Sequence, residues 1–171
     1  MILLDIVFFI VAFVSAFLSL QLFLGLRNIN SVEVNNSNNT LPCVVLIPAH
    51  NEELGIAKTI MSARKEVREG DLILVVADNC SDSTAAVSRD AGAICIERTN
   101  LELVGKGHAL QYGVDYLIKN DVEFATVVVM DADCLFGEGS LHTLLTVSQT
   151  KNCVAQALYL MRSPNKDNIK L

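Results

Sequence analysis

The chain opens on an unbroken apolar stretch. Across residues 6–26 no side chain is charged, and the strongly polar ones are Ser15, Ser19 and Gln21. As a helix this stretch would be about 31 Å long, close to the thickness of a bilayer's hydrocarbon core. Residues 1–27 therefore read as a transmembrane anchor. A cleaved signal peptide has a basic start and a shorter apolar core, whereas the early charge here is Asp5. A buried core helix is the remaining alternative. Residues 28–41 (NINSVEVNNSNNTL) are asparagine-rich and patternless, and read as a tether. Their N-x-S and N-x-T matches matter only on a lumenal side. Arg27 follows the span and no Lys or Arg precedes it, so the positive-inside tendency places the rest of the chain in the cytoplasm.

Beyond the tether the pattern changes to apolar runs alternating with helical stripes. CVVLIP (43–48), DLILVVAD (71–78), AICIE (93–97), FATVVVMD (124–131) and NCVAQALYLM (152–161) read as five strands. Between them, residues 53–67 place Ile56, Ile60, Ala63 and Val67 on one stripe. Residues 83–91, 106–119 and 138–150 read as further helices, with Asn79, Ser81 and Asp82 supplying capping chemistry before the second. Continuous apolar strands alternating with amphipathic helices predict an α/β fold with a mostly parallel sheet covered on both faces.

In such sheets ligands bind at the carboxyl ends of the strands. The residues expected there are Pro48 to Glu53 after the first strand and Asp78 to Asp82 after the second. Arg98 and the run Gly105-Lys106-Gly107 follow the third, and Asp131 and Asp133 the fourth. These loops converge on one edge as a candidate site. Asp131 and Asp133 leave the same face of an extended backbone, roughly 6.5–7 Å apart at Cα. Two carboxylates so placed repel unless a cation neutralises them, and hard Mg²⁺ or Mn²⁺ suits oxygen ligands shared with phosphate. Solvated turn acids are the plainer reading. Asp78 is either a turn residue or an acceptor for a nucleobase or ribose. Lys106 is either an ordinary surface lysine or an anion ligand at a helix N-terminus. The run around it is not a phosphate-binding P-loop, because Asn100 stands at the earlier glycine position and no Ser or Thr follows Lys106. His50 lacks a partner at metal or nucleophile spacing and reads as a loop residue lining a pocket, while His108 and His142 read as helix-surface residues.

Composition narrows the classes. With 13 basic against 19 acidic residues, the net charge of −6 argues against nucleic-acid binding. Five cysteines without a C-x-x-C pair fit reduced thiols rather than a disulfide framework or zinc site.

Together VVLIPAHNEE (44–53), VVADNCSDSTA (75–85), GKGHAL (105–110) and VVVMDADC (127–134) resemble the family 2 glycosyltransferases, in order and spacing. The resemblance implies the nucleotide-diphospho-sugar transferase (GT-A) fold, a Rossmann-like sheet, here expected to be incomplete and preceded by one transmembrane helix. It implies that 42–171 is a donor-binding part, with Pro48, Ala49, Asn51 and Glu52 lining the nucleoside pocket and Asp78 contacting the base. Arg98 and Lys106 would extend the pocket towards the diphosphate. Asp131 would sit near the ribose, and Asp133, with Asp131, would hold Mg²⁺ or Mn²⁺. The implied reaction is inverting transfer from a nucleotide-diphospho-sugar, UDP-sugar foremost, to a saccharide or lipid-linked acceptor in polysaccharide or glycolipid synthesis. The family's general base is expected beyond Leu171, so the 171-residue chain is expected to be truncated and inactive alone. A non-catalytic, membrane-anchored nucleotide-sugar-binding protein is the alternative. A nucleotidyltransferase would want glycine in the first loop, and a dinucleotide oxidoreductase a complete G-x-G-x-x-G.

Overall fold

The computed structural model describes residues 2–27 and 41–158. The chain divides into two units, Met1–Glu33 and Val34–Leu171. In the first, α1 runs from Ile2–Arg27. Its window Asp5–Leu24 has a mean hydropathy of 2.5. Such a helix is long and apolar enough to cross a bilayer. The expected tether at 28–40 lies outside the described residues.

Among its described residues the second unit holds a four-stranded parallel sheet in the order β3-β2-β1-β4. Its strands are β1 (Cys43–Ala49), β2 (Leu72–Asp78), β3 (Ile94–Arg98) and β4 (Thr126–Val129). The helices α2 (Ile56–Arg64), α3 (Thr84–Asp90), α4 (Lys106–Lys119) and α5 (Ser140–Lys151) connect and follow them. Strand β1 is central. It pairs Val45 with Ile73 on one side and with Val128 on the other, and Val45, Leu46 and Ile47 have no accessible surface. The two-residue alternation divides β1 between two cores. Val45, Ile47 and Ala49 pack with Ile56 and Ile60 of α2 and with Leu141 and Leu145 of α5. Val44 and Leu46 pack with Ala109 and Leu117 of α4.

Gly113 lets α4 seat on the sheet. A Cβ there would stand 2.6 Å from Leu46 Cδ1 and 3.0 Å from Val76 Cγ2. Both neighbours are fully buried and have nowhere to retreat. At the amino edge, Asp71 performs the corresponding polar task. Its carboxylate, 1% exposed, accepts from the amides of Cys43 and Arg68 and from the Arg68 guanidinium. At the N-terminus of α5, whose first amides have no partner within the helix, Glu66 accepts from the amides of Gly139 and Leu141.

The expected fifth strand is a correction. Helix α5 ends at Lys151, its C-cap Asn152 lies in the left-handed region (φ 46), and residues 154–158 have no regular structure. Val154 and Leu158 are 99% and 73% exposed. An apolar run becomes a strand only when a neighbour's backbone pairs with it, and 154–158 makes no ladder bond with the sheet; residues 159–161 lie outside the described residues. The fourth strand is also shorter than its apolar run predicts, although Met130 still donates to Leu46 O at 3.0 Å.

Two outcomes follow for the detergent-solubilised chain. Gly113→Val overpacks the α4 core and lowers stability by about 1–3 kcal/mol, read from the urea midpoint. Burial pushes the Asp71 carboxyl up, but the Arg68 side-chain bond, the amides of Arg68 and Cys43 and the Arg68 charge together hold it below its ordinary 3.8. Its folded value is depressed, so its contribution to stability is fully present above that ordinary value and is lost as pH falls through the folded one. The stability advantage of the wild type over Asp71→Asn therefore holds down to about pH 5 and shrinks as pH falls from there through the depressed folded value, read in urea titrations.

Candidate functional site

The carboxyl ends of β1, β2 and β4 and the start of α4 enclose a cleft of about 300 Å³. Pro48, Ala49, His50, Asp78, Val104, Gly105, Lys106, Ala109 and Asp131 line it. A second shallow cleft, about 340 Å³, lies on the flank between α2 and α3 at Met61, Arg64, Asp90 and Ala91 and touches none of these groups. The carboxyl-edge cleft is the candidate site because apolar walls and convergent charges meet there.

Each polar group has a local cause. Asp78 is the last residue of β2 and is 6% exposed. Its Oδ1 accepts from Arg98 Nη1 at 2.5 Å, across the β2–β3 register that pairs these two residues. Arg98 is almost as buried, and its Nη2 donates to Leu103 O at 2.7 Å. A buried carboxylate is tolerable here because the guanidinium compensates it. His50 Nδ1 lies 2.7 Å from Asp78 O. A carbonyl only accepts, so Nδ1 carries the proton and the imidazole ties the end of β1 to the end of β2.

Beyond β4 the burial alternates. Met130 and Ala132 point inward at 5% and 7% exposure, while Asp131 and Asp133 point out. The buried Thr59 of α2 donates to Ala132 O at 2.5 Å and holds this loop from beneath. Oxygen atoms of Asp131 and Asp133 and the thiol sulfur of Cys134 all lie within 4.8 Å of one another. Lys106, the first residue of α4, forms an ion pair with Asp131. The charge left by two neighbouring carboxylates is thus met in part by a lysine from the facing helix. The oxygen pair fits a hard divalent ion; the Cys134 thiol is a soft donor that such an ion does not select.

The structure brings Pro48, Ala49, Asp78, Lys106 and Asp131 into the cleft, with Arg98 behind Asp78 and Asp133 beside Asp131. Asn51 and Glu52 are placed differently. Asn51 (φ 54) accepts from Ser81 N at 2.8 Å, and Glu52 N donates to Thr84 Oγ1 at 2.7 Å. They join the loop after β1 to the loop after β2 rather than lining the cleft. Asp82 does as expected of a capping residue, accepting from the amide and hydroxyl of Thr84. Desolvation pushes its carboxyl up, and those bonds together with the Glu53 amide and its own backbone amide outweigh it and hold it low. Cys134 and Val104 were not signalled by residue type, since a lone cysteine and a loop valine carry no motif; adjacency to the D-x-D pair and to Lys106 was the available clue.

Comparison with known proteins places the chain in a family and the sheet in a fold. The chain is 32% identical over 109 residues to 4,4'-diaponeurosporenoate glycosyltransferase of Staphylococcus aureus (strain USA300), covering 61% of this chain and 28% of that protein. It is 31% identical over 101 residues to Protein RfbJ of Shigella flexneri, covering 59% of this chain and 71% of the relative. The chain thus spans little more than a quarter of the first relative's length. Among solved structures, a mannosyltransferase from Pyrobaculum calidifontis, in complex with GDP-Man and Mn²⁺, matches with a TM-score of 0.62 at 19% identity. That match covers 81% of this chain and 42% of the other, and is a likeness of fold, the GT-A architecture. Residues 44–170 match the profile of Glycosyl transferase family 2, and the chain belongs to that family.

Proposed function

We propose that the carboxyl-edge cleft binds the nucleoside diphosphate of a sugar donor, UDP-sugar foremost, for inverting transfer to a saccharide or lipid-linked acceptor in polysaccharide or glycolipid synthesis. The observation that carries this reading is the placement of Asp78, Lys106 and Asp131 around one cleft in a family 2 chain. Pro48, Ala49 and Val104 offer an apolar seat for a base, with Asp78 and its Arg98 partner at the inner end. Lys106 and the first amides of α4 face the place where a diphosphate belongs, since helix N-termini favour anions. Asp131 and Asp133 would hold Mg²⁺ or Mn²⁺, which when bound offsets diphosphate charge and stabilises the leaving group. Lys106 does the same by direct charge-assisted bonding. In this reading α1 anchors the chain in a membrane, with the cleft on the cytoplasmic side.

The test is isothermal titration of the detergent-solubilised chain with UDP and with GDP, each with and without Mn²⁺. One of them binds with Mn²⁺ and is released by chelator, and Asp133→Asn weakens that binding at least tenfold. Failure of both nucleotides to bind overturns the reading. Lys106→Ala has two opposed effects on ligand affinity. It weakens the nucleoside diphosphate by about tenfold or more while leaving the nucleoside nearly unchanged, since a hydrogen bond to a charged group contributes about 1.5–3 kcal/mol. It also strengthens binding of Mn²⁺ alone, because Asp131 no longer has a lysine to give up.

A further inference from the structure

Residues 99–105 carry Val104 and Gly105 to the cleft and deliver Lys106 to it, yet no side chain of this loop is fully buried. Leu101, Leu103 and Val104 are 81%, 49% and 64% exposed. Apolar packing therefore does not explain its shape, and hydrogen bonds must. Two asparagines supply most of them. Asn79 sits at φ 51, a left-handed conformation that Asn tolerates well. Its backbone amide donates to Arg98 O at 2.7 Å. Its side chain then treats the peptide of Asn100 as a neighbouring strand would: Oδ1 accepts from Asn100 N at 2.7 Å and Nδ2 donates to Asn100 O at 3.2 Å. The β2–β3 ladder is thereby extended past its last backbone pair, Asp78 with Arg98, by a side chain. Asn100 passes the order on. Its Oδ1 accepts from the amides of Glu102 and Leu103 at 3.0 and 2.9 Å, and Arg98 Nη2 fixes the Leu103 carbonyl.

We propose that Asn79 and Asn100 are positioning residues for donor binding: as a relay of amides they hold loop 99–105 so that Val104 and Lys106 face the cleft. The proposal rests on the cleft being the nucleotide site. Its chemistry makes the two positions separable from general stability. Asn100 uses only an acceptor oxygen within the loop, so Asn100→Asp keeps both bonds and Asn100→Ala loses them. Asn79→Gly keeps the left-handed backbone without strain and deletes the amide, whose Nδ2 also donates to Asp78 Oδ1 at 3.2 Å, whereas Asn100→Ala leaves that contact in place and reads the loop alone.

The experiment measures backbone hydrogen exchange across 99–106 and affinity for the nucleoside diphosphate, UDP or GDP, that the wild-type chain binds with Mn²⁺. For Asn79→Gly and Asn100→Ala, the amides of Asn100, Glu102 and Leu103 exchange faster and nucleotide affinity falls at least tenfold, while the thermal midpoint moves by no more than about 3 °C, a shift of under about 1 kcal/mol. Asn100→Asp retains both protection and affinity. Unchanged affinity in the first two variants, with a wild type that binds, overturns the relay and leaves the cleft reading intact. A midpoint that collapses in step with affinity, or failure of Asn100→Asp to rescue, assigns the asparagines to general stability and overturns it too. A wild-type chain that binds neither nucleotide overturns the cleft reading, and the relay's role with it.

Discussion

Everything at the candidate site depends on β1 being enclosed in all directions. It is paired on both edges and covered on both faces, and its core residues have no access to solvent. A strand so placed admits no unpaired polar side chain along its length. Polar residues are confined to its carboxyl end, and the parallel pairing brings the ends of β2 and β4 to the same edge. The site's location is thus a consequence of where polarity is forbidden.

The charges that gather there are settled in two ways. Asp78 and Arg98 are both buried, and their pair is a structural commitment: removing either partner would leave a charge with no water to solvate it. Lys106 and Asp131 are both about half exposed, so their pair contributes little to folding and is easily exchanged. One pair holds the inner wall, and the other stands where an incoming ligand can replace it. The loop between them, 99–105, is ordered by amide hydrogen bonds rather than by a core.

Much of this was legible in the sequence because burial leaves a mark on composition. The apolar runs at 43–48, 71–78 and 93–97 announce β1, β2 and β3 to within one residue at each end, and the stripe on 106–119 gives α4 with the same bounds. The run at 152–161 carries the same mark without forming a strand in its described part, because a run of apolar residues says nothing about whether a partner backbone is present. Within the site, Asp78, Lys106, Asp131 and Asp133 follow from their position at strand and helix ends. The placement of Asn51 and Glu52 does not, since a polar loop residue serves equally well as a pocket wall or as a tie to the next loop. His50 lines the cleft as its loop position predicts, but its tie to Asp78 O and the bonds of Asn79 to Asn100 escape for a related reason: each is a bond to backbone, and backbone partners leave no trace in residue type.

Gly113 has a consequence for how this chain can vary. The separation of α4 from the sheet is fixed by what is missing at that position, with Leu46 and Val76 filling the space. The outward side of α4, with His108, Gln111 and Asp115, is free to drift. Position 113 is bound to its neighbours by volume: a methyl gained there must be surrendered at 46 or 76. Positions 46, 76 and 113 are therefore coupled through volume, and the seat of α4, from which Lys106 reaches over the cleft, depends on all three.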